Sequence, residues 1–278
     1  MIKIECRGPN SRRGGKDESK MSKAKSHKKI SALDVVRWLL LLVALVAAVL
    51  LVKRLLEYKK GQDTYKDIAS QFTASVSAEA DVGSALLQVD LEGMRRQNPD
   101  VIGWIQIDSL DLSYPVLKGP DNAYYLHRLP DGSYNASGSL FMDANNTGFE
   151  DLHSIVYGHN MRDGSMFAGL LKYLDPDFYT ENGGEIIVYT LDGIWRYEMF
   201  CASQVPPDST LYTIGFGPGQ AYDEFVQNTI GLRYYNMGVE PTGEDHILTL
   251  STCTGDGENR VVVCARRAER LDAPAEAG

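Results

Sequence analysis

Hydrophobic and polar residues follow one another along this chain in three different rhythms. The first is a run of fifteen apolar residues without a break, Trp38 to Val52 (WLLLLVALVAAVLLV), extended by Val35 and Val36 across Arg37 and by Leu55 and Leu56 across Lys53 and Arg54. It predicts a single transmembrane helix over 35–56. Fifteen residues at ~1.5 Å each reach only ~22 Å, less than the ~30 Å hydrocarbon layer, so the flanking basic side chains must extend to the headgroups. The chain continues as KRLLEYKK rather than a small-residue cleavage site, which reads as an uncleaved anchor and not a signal peptide. The second rhythm covers 57–97, with helix-forming composition and spaced apolar positions at Tyr65, Ile68 and Phe72, then Leu86, Leu87, Val89, Leu91 and Met94. It predicts a spacer followed by one or two helices, ended at Asn98-Pro99 because a residue before proline avoids the helical region.

From Val101 the pattern changes to short alternating or β-branched runs separated by turn residues: VIGWIQI, LSYPVL, GSLFM, HSIVYGH, EIIVYTL, IWRYEMFCASQV, HILTLSTC and RVVVCA. These are eight predicted strands. Two helical stretches interrupt them, Ser165 to Tyr173 and Gln220 to Leu232. Most connections are too short for a crossover helix, so a mainly β, closed barrel or sandwich is favoured over a parallel α/β sheet.

Charge sharpens this division. Residues 1–30 hold ten Lys/Arg against Glu5, Asp17 and Glu18, whereas 57–278 hold 15 basic and 33 acidic residues. The excess of positive charge before the span keeps the N-terminus in the cytoplasm and exports the acidic body. That body has no basic stripe with interleaved aromatics, which argues against nucleic-acid binding. The expected organisation is a basic cytoplasmic tail (1–34), the anchor (35–56), a juxtamembrane spacer with N-terminal helices (57–97), one catalytic barrel domain (98–270) and a short tail (271–278). A second methionine, Met21, leaves two possible starts for the cytoplasmic tail.

Four cysteines, Cys6, Cys201, Cys253 and Cys264, show neither a C-x-x-C pair nor the histidine spacing of a zinc site. Cys6 precedes the anchor, leaving three on the exported side, an odd number that requires at least one free thiol. Cys253 ends a predicted strand, the turn-rich TGDGEN follows, and the next strand opens at Arg260. A hairpin with such a loop sets its flanking residues side by side. A guanidinium there gives the thiol a fixed positive neighbour and can stabilise an oxyanion. His127, His153, His159 and His246 are the candidate bases, since His27 lies across the membrane. Of these, His159 shares with Cys253 the position of a strand end opening into a loop, where barrels carry reactive groups. Taken singly, each of the three has an ordinary structural reading, and Cys201 and Cys264 read as small buried hydrophobes.

The segment HSIVYGHNMRDGSMFAGLLKY, with TLSTC and a downstream arginine, resembles the signature of the sortases, and NPDVIGWIQI, YPVLKGPDNAYYL and GSLFMD resemble their class B branch. The resemblance runs from about Asn98 to Arg266. It implies a closed eight-stranded barrel with N-terminal helices and a helix before the seventh strand. It further implies Cys253 as nucleophile with His159 and Arg260 as partners, and Asn122, Leu126, Tyr157 and Ser251 lining a groove for the sorting peptide. Asn122 and Leu126, four apart, would share one face of a short helix. The implied reaction cleaves a sorting signal after threonine through a thioacyl-enzyme and passes the surface protein to an amine of a peptidoglycan crossbridge or its lipid-linked precursor. It needs no metal and no organic cofactor.

Three other readings bear on the same residues. A papain-type protease carries its cysteine ahead of its histidine and at a helix N-terminus, the reverse of the order here. A pilin-polymerising sortase uses a subunit lysine as acceptor. A membrane-tethered binding module would carry an inert Cys253.

Overall fold

A computed structural model describes residues 32–75, 86–254 and 257–272. The expected tails at both ends, with Met21 and Cys6, lie wholly or largely outside the described residues. The chain divides into two compact units, 1–50 and 51–278.

The described part of the first unit is helical and exposed throughout. It belongs to α1 (Ala32–Phe72), a helix of 41 residues whose apolar stretch is long enough to cross a membrane. The helix runs on through 57–72. There, already within the second unit, Asn135 Nδ2 donates to the Glu57 carbonyl at 2.8 Å and Tyr65 Oη to the Gly138 carbonyl at 2.6 Å. Gly61 permits this approach, since a Cβ would come within 2.8 Å of Ser137 Oγ.

After α1 the chain forms β1 (Thr73–Ser75), paired antiparallel with β2 (Leu87–Val89), and then α2 (Leu91–Gln97). The apolar spacing over 57–97 predicts a spacer and one or two helices, with no strand in it. Asp90 divides 86–94, because its carboxylate accepts from Gly93 N at 2.7 Å and starts the helix only at Leu91.

All eight predicted barrel strands form: β3 (Val101–Ile107), β4 (Leu112–Leu117), β5 (Leu140–Met142), β6 (His153–Tyr157), β7 (Glu185–Thr190), β8 (Gly193–Val205), β9 (Ile247–Cys253) and β10 (Arg260–Arg270). They close in the order β10-β8-β7-β3-β4-β5-β6-β9. Two neighbouring pairs, β4–β5 and β6–β9, are parallel. Alternation along each strand fills the interior with residues such as Ile105, Val116, Leu140, Val156, Val188, Leu248, Leu250 and Val263.

Between β6 and β7, the predicted helix over 165–173 is instead a 3-10 turn, Ala168–Leu174, followed by α3 (Pro176–Asn182). Met166 takes a positive φ of 56°, which no helix tolerates, and Asp175 with Pro176 supplies the cap and first residue of α3. Helix α4 (Gln220–Gly231) lies before β9 as expected. Tyr222, Phe225 and Val226 share its buried cluster with Phe200, Cys201, Val262 and Cys264 on the outside of the barrel.

His153 belongs to this packing. Its Nδ1 lies 2.8 Å from the Thr213 carbonyl and its Nε2 2.8 Å from Thr249 Oγ1, and burial pulls its pKa down to about 4. A free imidazole titrates near 6.5, so between these values the unfolded chain binds a proton that the folded chain refuses, and stability falls as pH falls. Urea denaturation of the full chain in detergent should lose about 3 kcal/mol to this one group between pH 7 and pH 4. The His153→Gln chain should show a correspondingly smaller slope against pH; an unchanged slope would contradict the assignment.

Candidate active site

Period-two alternation sorts the strand ILTLSTC. Leu248 and Leu250 face the barrel interior, so Ser251 and Cys253 face outward together. In the β9–β10 hairpin Cys253 is the direct partner of Arg260 and Ser251 of Val262. The thiol and the guanidinium therefore share one outer face at one rim. Arg260 Nη1 donates to the carbonyls of Gly257 and Asn259 at 3.3 and 3.2 Å, which ties the side chain to its own hairpin loop.

Strand β6 runs parallel to β9 with Tyr157 beside Ser251, and Gly158 N donates to the Ser251 carbonyl at 3.1 Å. The chain thus leaves β6 level with the end of β9. Asn160 Nδ2 donates to the Cys253 carbonyl at 3.0 Å, and Phe167 N to the His159 carbonyl at 2.9 Å, closing the loop that carries the histidine.

His159 Nε2 lies 2.7 Å from the Leu126 carbonyl. A carbonyl only accepts, so Nε2 carries the hydrogen and Nδ1 is the nitrogen left to exchange a proton. Burial is the main cause that holds this imidazole below the usual histidine value; the Leu126 bond opposes it and the neighbouring His127 adds to it. The His127 ring stacks on His159 at 5.5 Å between centroids, 15° from parallel.

These elements enclose a groove of ≈ 210 Å³. All seven residues singled out from the sequence line it: Cys253, His159, Arg260, Ser251, Tyr157, Asn122 and Leu126. Asn122 and Leu126 meet there by a different route from the predicted helix face, since the segment forms a 3-10 turn only over Tyr124–His127. Sequence reasoning missed Asn160, Asp143 and Tyr212. Asn160 directly follows His159, and Asp143 ends the GSLFMD segment; both were visible as polar residues at strand ends, but their partners lie far along the chain. Tyr212 Oη and Ser251 Oγ share a hydrogen bond of 2.9 Å.

Of the other candidate histidines, His153 is in the core and His246 Nδ1 sits 3.0 Å from the Asp151 carbonyl. Cys201 and Cys264 are free, fully buried and direct partners on β8 and β10. A hydrogen bond with Cys264, with burial, pushes the Cys201 thiol far up. Thr249 Oγ1 lies 3.5 Å from Cys264 Sγ. Cys253 is the half-exposed thiol among the described cysteines. A larger cavity, ≈ 680 Å³ between α1, α2 and residues 124–132, contains none of the thiol, imidazole or guanidinium groups.

A thiol on the rim of an all-β barrel, following its histidine in the chain, sets this protein apart from papain-like enzymes and among the barrel-type cysteine transpeptidases. Residues 105–268 match the family model of the sortase domain, and the chain belongs to the sortase family. It is 33% identical to sortase B of Listeria monocytogenes over 202 residues, 72% of this chain and 80% of that protein. The crystal structure of sortase B from Bacillus anthracis in complex with AAEK1 superposes with a TM-score of 0.67 at 27% identity, covering 78% of this chain and 100% of the other. The Staphylococcus aureus sortase B–substrate complex gives a TM-score of 0.61 at 31% identity, over 64% and 84% of the two chains. The protein is accordingly a sortase-type cysteine transpeptidase.

Proposed function

We propose that this transpeptidase cleaves a C-terminal sorting signal after threonine and joins the released surface protein to an amine of the cell-wall peptidoglycan. The proton of the Cys253 thiol passes to His159, the sulfur attacks the threonine carbonyl carbon, the C–N bond to the next residue breaks, and His159 delivers that proton to the departing amine. The incoming amine then gives a proton to His159 as it attacks the thioester carbon, the C–S bond breaks as the new amide forms, and the proton returns to the Cys253 sulfur. Arg260 holds the oxyanion in both tetrahedral stages. Ser251, Tyr157, Asn122 and Leu126 bind the donor peptide. The observation that carries this reading is the meeting of thiol, imidazole and guanidinium in one groove open to solvent.

The catalytic unit is the barrel domain of 98–270, and the apolar part of α1 anchors it in the cell membrane. The basic tail remains in the cytoplasm and the domain faces outward, in keeping with the charge difference across the span. Full-length chain in detergent, given a panel of threonine-containing sorting peptides, should accumulate an adduct on Cys253 with the mass of the N-terminal fragment. Addition of a glycine-based or crossbridge amine should discharge that adduct as a new amide; a lysine side chain as the only productive acceptor would favour pilin polymerisation. Failure of every peptide to form an adduct would end the proposal.

A further inference from the structure

Asp143 follows β5 and is 6% exposed, deep enough that an unsatisfied carboxylate there would be costly. Its backbone is fixed to β6, with Asp143 N donating to the Ile155 carbonyl at 2.9 Å. The carboxylate is fully engaged. Oδ1 accepts from Asn145 N at 2.9 Å and from Asn145 Nδ2 at 3.1 Å. Oδ2 accepts from Asn122 Nδ2 at 2.8 Å and from Tyr157 Oη at 2.9 Å. Asn122 is gripped at its other end too, because its Oδ1 accepts from Ala144 N at 2.8 Å.

The two donors on Oδ2 come from different walls of the groove. Tyr157 ends β6, on the strand beside the nucleophile; Asn122 opens the segment that continues to Leu126, whose carbonyl holds His159. One buried oxygen thus joins the wall that carries substrate-facing aromatics to the wall that orients the base. The anionic form suits this task, since a carboxylate is acceptor-only and both donors need acceptors. Burial and the Asp143 carboxylate also push the Tyr157 phenol up, against the pull of Arg260, so Tyr157 stays a neutral donor.

We propose that Asp143 is a positioning residue of the transpeptidase, a clamp that fixes the separation of the Tyr157 and Asn122 walls and thereby the shape of the donor-peptide channel. This rests on the reading of the groove as the donor-peptide site. A clamp on the channel affects binding of the peptide more than chemistry at the sulfur, and that split distinguishes it from a residue needed only for folding.

The test uses full-length chain in detergent with a cleavable sorting peptide, reading KM and kcat separately, together with alkylation of Cys253 by iodoacetamide, which needs no peptide channel. Asp143→Asn turns one acceptor into a donor facing Asn122 Nδ2. It should raise KM about tenfold or more, change kcat less than about threefold, and leave the alkylation rate and its pH profile intact. In the double variant Asn122→Asp/Asp143→Asn, the new amide can donate one N–H to the carboxylate introduced in place of Asn122 and the other to Tyr157 Oη. With the Asn122→Asp single variant completing the cycle, since Asn122 itself lines the groove, its KM should lie below the product of the two single-variant effects by about threefold or more, a coupling that independent lesions do not give.

An unchanged KM in Asp143→Asn, or additive effects in the double variant, would overturn the clamp while leaving the donor-peptide reading standing. If Asp143→Asn does not melt cooperatively, recovery of folding and KM in the double variant still supports the clamp; absence of folding in both makes Asp143 a folding residue and overturns it. Failure of the unaltered chain to cleave any peptide would remove the donor-peptide reading, and the clamp with it.

Discussion

Cys253→Ala should abolish both cleavage of a sorting peptide and formation of the covalent adduct, with kcat falling on the order of 10⁴- to 10⁶-fold, as for nucleophiles of other covalent peptidases. Cys201→Ala and Cys264→Ala should keep kcat within about threefold, because both thiols are sealed beneath α4 and neither reaches the groove. Their cost is to stability, of about 1–2 kcal/mol each for a lost buried sulfur in a packed cluster. The measurement is single-turnover mass analysis of the chain with peptide, alongside thermal melting of each variant. Retained turnover in Cys253→Ala, or its loss in a folded Cys201→Ala chain, would move the nucleophile elsewhere and undo the mechanism.

The second large effect falls on His159. Its replacement by Ala should lower kcat by about 10²- to 10⁴-fold, the range for loss of a positioned general acid or base. The Leu126 carbonyl fixes the tautomer with the hydrogen on Nε2, so the proton passed to the leaving amine travels through Nδ1. Burial lowers the pKa of this imidazole, hence it releases its proton at a lower pH than a free histidine. NMR titration in the Cys253→Ala chain, where no thiolate contributes, should place the His159 midpoint below 6.5; a midpoint above it would contradict the local electrostatics.

Hydrogen bonds of Asp143, Asn160 and Tyr212 hold the groove in form. Asn160 binds the backbone of the nucleophile, Asp143 ties together two walls, and Tyr212 braces Ser251, each through a hydrogen bond to a residue distant in sequence. None of the three reads as functional from its neighbours in the chain. Asp143 differs in no local respect from other aspartates at strand ends, and only its four hydrogen-bond donors reveal what it does.

Local pattern determined a great deal: the apolar run of α1, the eight strands from their alternation, the hairpin that pairs Cys253 with Arg260, and the odd number of cysteines after the apolar run. It went wrong where tertiary or capping interactions outweighed periodicity, at Leu87–Val89, which pairs as a strand, and at 165–173, where the positive φ of Met166 and the Asp175-Pro176 start break the helix. The hairpin partnership was legible because a short loop constrains its own ends. The place of His159 beside Cys253 was not, because β6 and β9 are parallel neighbours far apart in the chain, and no turn chemistry specifies a non-local pairing. That pairing is set by which faces bury together when the barrel closes, a property of the whole sheet that no single segment carries.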